Sequence, residues 1–299
     1  MTNPTTSPDV SLVVPLYNEA DNLPVLTREI AVALESLPVS WELLYVDDGS
    51  TDASLEVLTR LAAGEPRLRI LRLETNCGQS AALDAGFRHA RGPVVVTLDA
   101  DLQNDPADIP TLLETLSETG ADVVTGIRAK RRDSWLRRVS SRVANGVRNR
   151  LTGDRVTDVG CTLRACRRDL LLQVPMFDGM HRFLPTLLKM AGARVVEIPV
   201  NHRPRLHGKP KYNIRNRIWR SLVDLFAVRW MQRRWIDRRL VEEVSPSWTP
   251  QPSKPSGSVS DFSDRPSSRP ASSSSGSHPK SNVGASSPGP SGSSASVEG

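Results

Sequence analysis

The chain has 299 residues and a net charge of +6, and only 5% of its residues are aromatic, too few to interleave with Lys and Arg as a nucleic-acid surface would require. Cys77, Cys161 and Cys166 form neither a disulfide framework nor a zinc-type spacing, which fits a reduced, cytosolic setting. The opening MTNPTTSPDV lacks the basic and apolar regions of a signal peptide, and no stretch of the chain reaches the ~18 uninterrupted apolar residues of a membrane span.

Val10 to Val14 is a short apolar run closed by Pro15, which predicts a buried strand. A polar loop follows, and then an amphipathic helix from Leu23 to about Ser36. Trp41 to Val46 predicts a second strand and Leu55 to Leu61 a second helix, with Ser50, Thr51 or Asp52 as its cap. Leu68 to Leu73, Val94 to Leu98 and Asp122 to Thr125 predict three more strands. Helices from Ser80 to Ala90 and Ile109 to Ser117 lie between them. Apolar strands alternating with helices imply an α/β fold, a Rossmann-like, doubly wound, mostly parallel sheet covered on both faces. No G-x-G-x-x-G follows the first strand, which disfavours a dinucleotide-dependent oxidoreductase. From Ser245 to Gly299 the chain is mostly Ser, Pro and Gly and reads as disordered.

Ligands of such sheets bind outside the carboxyl ends of the strands, and polar residues gather at those ends here. Pro15, Tyr17 and Glu19 follow the first strand, Asp47 and Asp48 the second, Asn76 and Gly78 the third, and Asp99, Asp101 and Gln103 the fourth. One such cluster is an ordinary surface loop; four along one edge predict a binding crevice. Asp99-Ala100-Asp101 is a carboxylate pair of the kind that holds Mg²⁺ or Mn²⁺ against a diphosphate. A pair that only solvates a turn is the competing reading of so short a motif.

Taken together, VVPLYNEADNLP, YVDDGSTDAS, NCGQSAALDAGFRHARG, VVVTLDADLQNDP, GIRAKRRDSWLRRVSSRVAN, DVGCTLRACRRDLL and RPRLHGKPKYN, in this order, resemble the family 2 glycosyltransferases, and within them the polyprenyl-phosphate branch. The resemblance covers about Ser11 to Trp230 and implies a GT-A type fold and a nucleotide-diphosphate-sugar donor, GDP- or UDP-linked. It implies that Pro15, Tyr17, Glu19, Val46 and Asp48 hold the base and ribose. Asp99, Ala100, Asp101 and Gln103 would form the diphosphate and metal site, with Asp101 and Gln103 as the ligands of Mg²⁺ or Mn²⁺. Arg128, Arg205 and Lys211 would contact the phosphates, and Asp99, Asp101 and Arg205 would carry catalysis. Arg137 and Ser141 match positions that bind the phosphate of the lipid acceptor. Pro210 stands where the branch usually carries Ser, which removes a hydroxyl and a backbone donor from the Arg205–Lys211 loop. Solvated surface arginine is the competing reading for Arg128 and Arg205 alike.

The resemblance implies an inverting enzyme that moves a hexose, mannose or glucose, to a polyprenyl phosphate. The alternative is a relative acting on a sugar hydroxyl in polysaccharide or glycolipid synthesis. Such relatives often carry Q-x-x-R-W, whereas Gln232-Arg233-Arg234-Trp235 has its Arg one position early. Trp219, Leu222, Val223, Phe226, Ala227 and Trp230 recur at helical spacing among arginines, as in a helix lying in a bilayer interface; a core-packing or partner-binding helix has the same pattern. The expected organisation is a flexible N-terminus (1–8), a transferase domain (9–212), basic amphipathic juxtamembrane helices (213–242) and a disordered tail (243–299). The expected place is the cytoplasmic membrane face, held peripherally by lipid or by a membrane-protein partner, without nucleic acid.

Overall fold

A computed structural model describes residues 7–128, 146, 153, 156–158, 160–204 and 214–236. The strands are β1 (Val10–Leu16), β2 (Trp41–Asp47), β3 (Leu68–Arg72), β4 (Val94–Thr97), β5 (Val123–Arg128), β6 (Arg164–Arg167) and β7 (Val195–Val200). The helices are α1 (Leu23–Glu35), α2 (Ser54–Gly64), α3 (Gln79–His89), α4 (Ile109–Thr119), α5 (Arg168–Leu171), α6 (Leu184–Met190) and α7 (Ile214–Arg234).

Among the described residues the sheet runs β3-β2-β1-β4-β6-β5-β7. All neighbours are parallel except β6, which is antiparallel to both β4 and β5. Every residue of β1 and β2 is buried, as a parallel sheet covered on both faces demands. Alternate side chains feed two cores. Leu12, Val14 and Leu16 pack with Leu26 and Ile30 of α1 and Leu112 of α4, while Val13, Leu44 and Val46 pack with Leu83 and Phe87 of α3 and Leu187 of α6.

Strand order reverses at β1, with β2 on one side and β4 on the other. A crevice opens at such a switch point, beyond the carboxyl ends of the two diverging strands. Pro15 does not close β1; the strand continues to Leu16. The Leu16 carbonyl accepts the Asp48 N–H on the β2 side, so Pro15, one residue earlier, turns its missing donor toward β4. There the ladder has already ended at the Val13–Thr97 pair, and no bond is lost.

β6, β7, α5 and α6 are additions to the elements expected from sequence. The expectations for 243–299 and for the first six residues lie outside the described residues, as do Arg137, Ser141, Arg205, Pro210 and Lys211.

Candidate active site

The loops after β1 and β2 are fastened to each other. Asn18 sits at φ 53, a left-handed conformation that Asn tolerates better than most residues. There its Oδ1 accepts the Thr51 N–H at 2.8 Å, and its own N–H donates to Ser50 Oγ at 2.9 Å. The Glu19 N–H donates to Ser54 Oγ, and the Glu19 carboxylate accepts from Asn22 Nδ2 at 2.6 Å. Tyr17 and Glu19 are half-buried along this wall, with Pro15 and Val46 beneath them in the sheet. None of the three residues expected to cap α2 occupies its N-cap, which is Ala53; Asp52, one residue earlier, accepts the Ser54 N–H at 2.9 Å.

Asp48 is buried and reaches away from α2, accepting the N–H groups of Cys77 and Gly78 ahead of α3. Burial raises its pKa above the ordinary carboxylate value, as does the charge of Asp47, while these two amides pull it back.

Asp99 and Asp101 lie just past the end of β4, in the loop between β4 and α4. Gln79 Nε2, in the first turn of α3, donates to Asp99 Oδ1 at 2.8 Å. Thr162 also bonds the Asp99 carboxyl, and its hydroxyl accepts from Asn104 Nδ2 at 2.8 Å. Asp101 is buried, and its Oδ1 accepts the Gln103 N–H at 3.2 Å. Between them Leu102 holds φ 61 with a fully buried side chain. Such a conformation costs a non-glycine residue about 1–2 kcal/mol, and here it brings Gln103 back toward Asp101.

The electrostatics of this pair suit a divalent cation. Although part of Asp99 reaches solvent, its carboxyl lies deep, and burial together with the neighbouring Asp101 charge pushes its pKa up to about 6. Two carboxylates that repel in this way gain from a cation held between them and a diphosphate. Beside them on β6, Arg164 is fully buried, with Nε donating to Thr125 Oγ1 at 3.3 Å and Nη1 to the His181 carbonyl at 3.2 Å. Its charge favours the ionised form of Asp99. The His181 ring in turn bonds Ser80 Oγ in α3. Among the described residues no group of three His, Cys, Asp or Glu side chains converges. A partial set, two carboxylates and the side-chain amide oxygen of Gln103, matches a hard cation whose shell is completed by substrate phosphates. The donor chemistry fits.

The structure therefore brings Pro15, Tyr17, Glu19, Val46, Asp48, Asp99, Ala100, Asp101 and Gln103 to the ends of β1, β2 and β4. Arg128 is at the end of β5 and is engaged by protein: Nε meets Asp158 Oδ2 at 2.7 Å and Nη2 meets Asp158 Oδ1 at 2.8 Å. Sequence reasoning did not single out Gln79, Thr162 or Arg164. Gln79 had a legible signal in N-C-G-Q-S, directly after a strand and opening a helix. Thr162 and Arg164 lie in DVGCTLRACRRDLL, but nothing in that string assigns them to the crevice, because the antiparallel β6 carries Arg164 there, with Thr162 two residues ahead of it.

Residues 11–174 match the family described as Glycosyl transferase family 2. The chain belongs to that family. It is 40% identical over 235 residues, 77% of this chain and 69% of the relative, to the dodecaprenyl-phosphate galacturonate synthase of Rhizobium johnstonii. It is 44% identical over 207 residues, 69% of this chain and 63% of the relative, to the undecaprenyl-phosphate 4-deoxy-4-formamido-L-arabinose transferase of Edwardsiella ictaluri. The chain thus spans about two thirds of the length of these relatives. Among solved structures it resembles a mannosyltransferase from Pyrobaculum calidifontis in complex with GDP-Man and Mn²⁺, with a TM-score of 0.54 and 25% identity over 75% of this chain and 65% of that one. The Mycobacterium tuberculosis glucosyl-3-phosphoglycerate synthase, at a TM-score of 0.58 and 20% identity over 74% of this chain and 78% of that one, shares the fold. The GT-A type fold expected from the resemblance is the fold observed.

Proposed function

We propose that this glycosyltransferase moves a sugar from a nucleotide diphosphate to a polyprenyl phosphate, with inversion at the anomeric carbon. The observation that carries the reading is the pairing of Asp99 and Asp101 at the switch point, in a chain with two relatives of 40% and 44% identity named for prenyl-phosphate acceptors. Asp101 and Gln103 would hold Mg²⁺ or Mn²⁺, with Asp99 oriented by Gln79 beside them. When bound, the cation would offset charge gathering on the departing diphosphate. The walls built by Tyr17, Glu19 and Asp48 would take the base and ribose, with carboxylates accepting from N–H or hydroxyl groups. Arg205 and Lys211 would reach the donor phosphates, and Arg137 and Ser141 the acceptor phosphate.

In the reaction a phosphate oxygen of the acceptor forms a bond to the anomeric carbon as the bond from that carbon to the diphosphate oxygen breaks. The second pKa of a phosphate monoester is about 6, so near pH 7 the acceptor brings its own negative charge. No proton need be removed by a side chain.

The sugar is proposed to be a hexose, with mannose and glucose the first to test. The relatives' names add galacturonate and 4-deoxy-4-formamido-arabinose to the donor panel. No described helix is long and apolar enough to cross a membrane. We propose peripheral attachment to the cytoplasmic face through α7, which buries Leu225 and Val228 against the domain and leaves Phe226 and Trp230 62% and 63% exposed.

The test is a panel of nucleotide sugars incubated with Mn²⁺ and either undecaprenyl phosphate or sugar acceptors. The expected product is a lipid phosphate monosaccharide, β-linked when the donor is α-linked. Transfer to a sugar hydroxyl alone would overturn the acceptor, and retention of configuration would overturn the inversion.

A further inference from the structure

We infer that Arg203 is a positioning residue for the donor site: its guanidinium bridges Glu29 and Asp105 and fixes the loop that carries Gln103 against α1 and the residues just after β7. The inference rests on the donor-site reading of Asp101 and Gln103 proposed above.

Three pieces of chain distant in sequence meet at this side chain. Nη2 and Nε bond the two oxygens of Asp105, at 2.6 and 3.2 Å, while Nη1 bonds both oxygens of Glu29 in α1, at 2.8 and 3.0 Å. The side chains of Arg203, Glu29 and Asp105 are only 35%, 28% and 16% exposed. The backbone joins the same seam. The Arg203 N–H donates to the Gln103 carbonyl at 2.8 Å, and His202 forms an antiparallel bridge with Asn104. Asn201 donates to Asp108 through both its N–H, at 2.7 Å, and its side-chain amide, at 2.9 Å.

Isolated surface ion pairs contribute little, but a planar fork shared by two carboxylates is a geometric device as well as a charge pair. Lysine offers a point charge and would not reproduce it. The seam is not needed to hold β7, which is already registered on β5 from Val195 to Val200. Its contacts fall instead on the main chain of Gln103 and on Asp105, two residues further on. Asp105 also accepts the Ala107 N–H at 3.0 Å, which sets the turn into α4. The clamp therefore fixes where the Gln103 loop stands relative to α1 and the end of β7. A misplacement on the ångström scale is enough to impair such a site.

The test uses full-length Arg203→Met, Arg203→Lys, Glu29→Gln and Asp101→Asn. GDP and UDP are titrated calorimetrically in the presence of Mn²⁺, Mn²⁺ binding is followed by paramagnetic resonance, and folding is followed by thermal melting. Loss of a residue that orients metal ligands typically weakens affinity 10–100-fold. Arg203→Met and Arg203→Lys are thus expected to raise the dissociation constants for Mn²⁺ and for the Mn²⁺-nucleotide about tenfold or more. Glu29→Gln, which keeps the Asp105 fork, should have a smaller effect in the same direction. Folded Arg203→Met with wild-type affinity overturns the inference, even if its melting temperature falls. If that variant does not fold, wild-type affinity in Arg203→Lys and Glu29→Gln overturns it equally. Asp101→Asn separates the two readings. Mn²⁺-dependent nucleotide binding that survives this change removes the donor-site reading itself, whereas its loss beside a wild-type Arg203→Met removes only the clamp.

Discussion

Asp48, beyond the end of β2, holds Gly78, at the entry to α3: Oδ2 accepts the Gly78 N–H at 2.9 Å while Oδ1 accepts that of Cys77 at 2.7 Å. The two loops are in van der Waals contact as well. A Cβ placed on Gly49, whose φ is 68, would stand 2.6 Å from the Thr75 carbonyl carbon, so glycine is required there. The residue expected at the nucleotide is thus also a staple between two walls of the crevice.

Asp48→Asn keeps one acceptor oxygen and places an amide nitrogen where the second was, leaving one loop N–H without its partner. The expected loss is about 1–3 kcal/mol of stability, the usual consequence of an unsatisfied buried donor. Nucleotide affinity should fall with it, because the Gly78 loop leads into Gln79 and so to Asp99. Thermal melting and nucleotide titration on one preparation check both. A lower melting temperature with unchanged affinity would confine Asp48 to the staple.

Arg128 and Asp158 make a second separable pair. Both side chains are largely buried, at 14% and 9% exposure, and a Cβ on Gly160 would be 2.4 Å from Arg128 Nη2, so the guanidinium is closely framed. Arg128→Met alone removes the bidentate guanidinium partner of Asp158 and should destabilise by up to about 3–5 kcal/mol. Arg128→Met combined with Asp158→Leu removes both charges but also the acceptor of the Arg128 and Gly160 N–H groups, so it should recover part of that. If Arg128 also touches donor phosphate, the double variant regains stability without regaining transfer. Recovery of both would make the pair purely structural.

The parts of the fold legible in the sequence were those whose local pattern and tertiary role agree. β1, β2 and β4 are apolar runs that are almost wholly buried, and they read as strands for that reason; β3, Leu-Arg-Ile-Leu-Arg, is mostly half-buried and reads as a strand from its apolar positions alone. β6 did not: Arg164-Ala165-Cys166-Arg167 looks polar, yet Arg164 is almost fully buried, because thirty-nine positions separate it from Thr125 in sequence but not in the sheet. β7 carries Glu197 and Pro199, which weaken a strand pattern; as an edge strand that, among the described residues, pairs with β5, it tolerates both. The carboxylate pair was legible as a motif. Its surroundings, Gln79, Thr162 and Arg164, were not, since each arrives from a different element.

At the opposite end of the sheet Glu42 gives a pH prediction. Burial by itself would raise its pKa, but hydrogen bonds from Ser11 Oγ, from Arg69 and from the Arg91 N–H outweigh burial and hold it below 4.5. A depressed carboxylate stabilises the fold above its unfolded pKa, and that contribution is lost as pH falls through the folded value. Glu42→Gln should therefore be less stable than wild type at pH 7, by about 1–3 kcal/mol, with the two denaturation midpoints converging below roughly pH 4. Nucleotide affinity should be unchanged, because this cluster lies at the amino end of the strands.

Asp99 predicts the reverse coupling, in ligand binding. With its pKa raised to about 6 by burial and by Asp101, it binds a proton just below neutrality, and that proton competes with a cation. Mn²⁺ affinity should be flat above roughly pH 7 and weaken steadily as pH drops to 5. Asp99→Asn should lose that slope along with most of the affinity. A wild-type profile that stays level down to pH 5 would contradict the coupling.

The last prediction concerns α7. Leu225 and Val228 are buried against the domain, with Met231 and Trp235 partly buried on the same side. Around the other side Leu222, Val223, Phe226 and Trp230 are 38%, 53%, 62% and 63% exposed. Arg233 and Arg234 stand exposed in the last turn. An apolar stripe with arginines beside it suits an anionic bilayer, where buried apolar area and charge act together. Fully burying a side chain of this size yields about 1.5–3 kcal/mol. Phe226→Ser combined with Trp230→Ser should thus lower partitioning onto phosphatidylglycerol vesicles by about a hundredfold, while transfer to a detergent-dispersed acceptor persists. Arg233→Gln with Arg234→Gln should weaken binding less, and its effect should shrink as salt is raised, since the charge term alone is screened. Equal binding of wild type and the Phe226/Trp230 variant in vesicle sedimentation would remove α7 as the membrane contact.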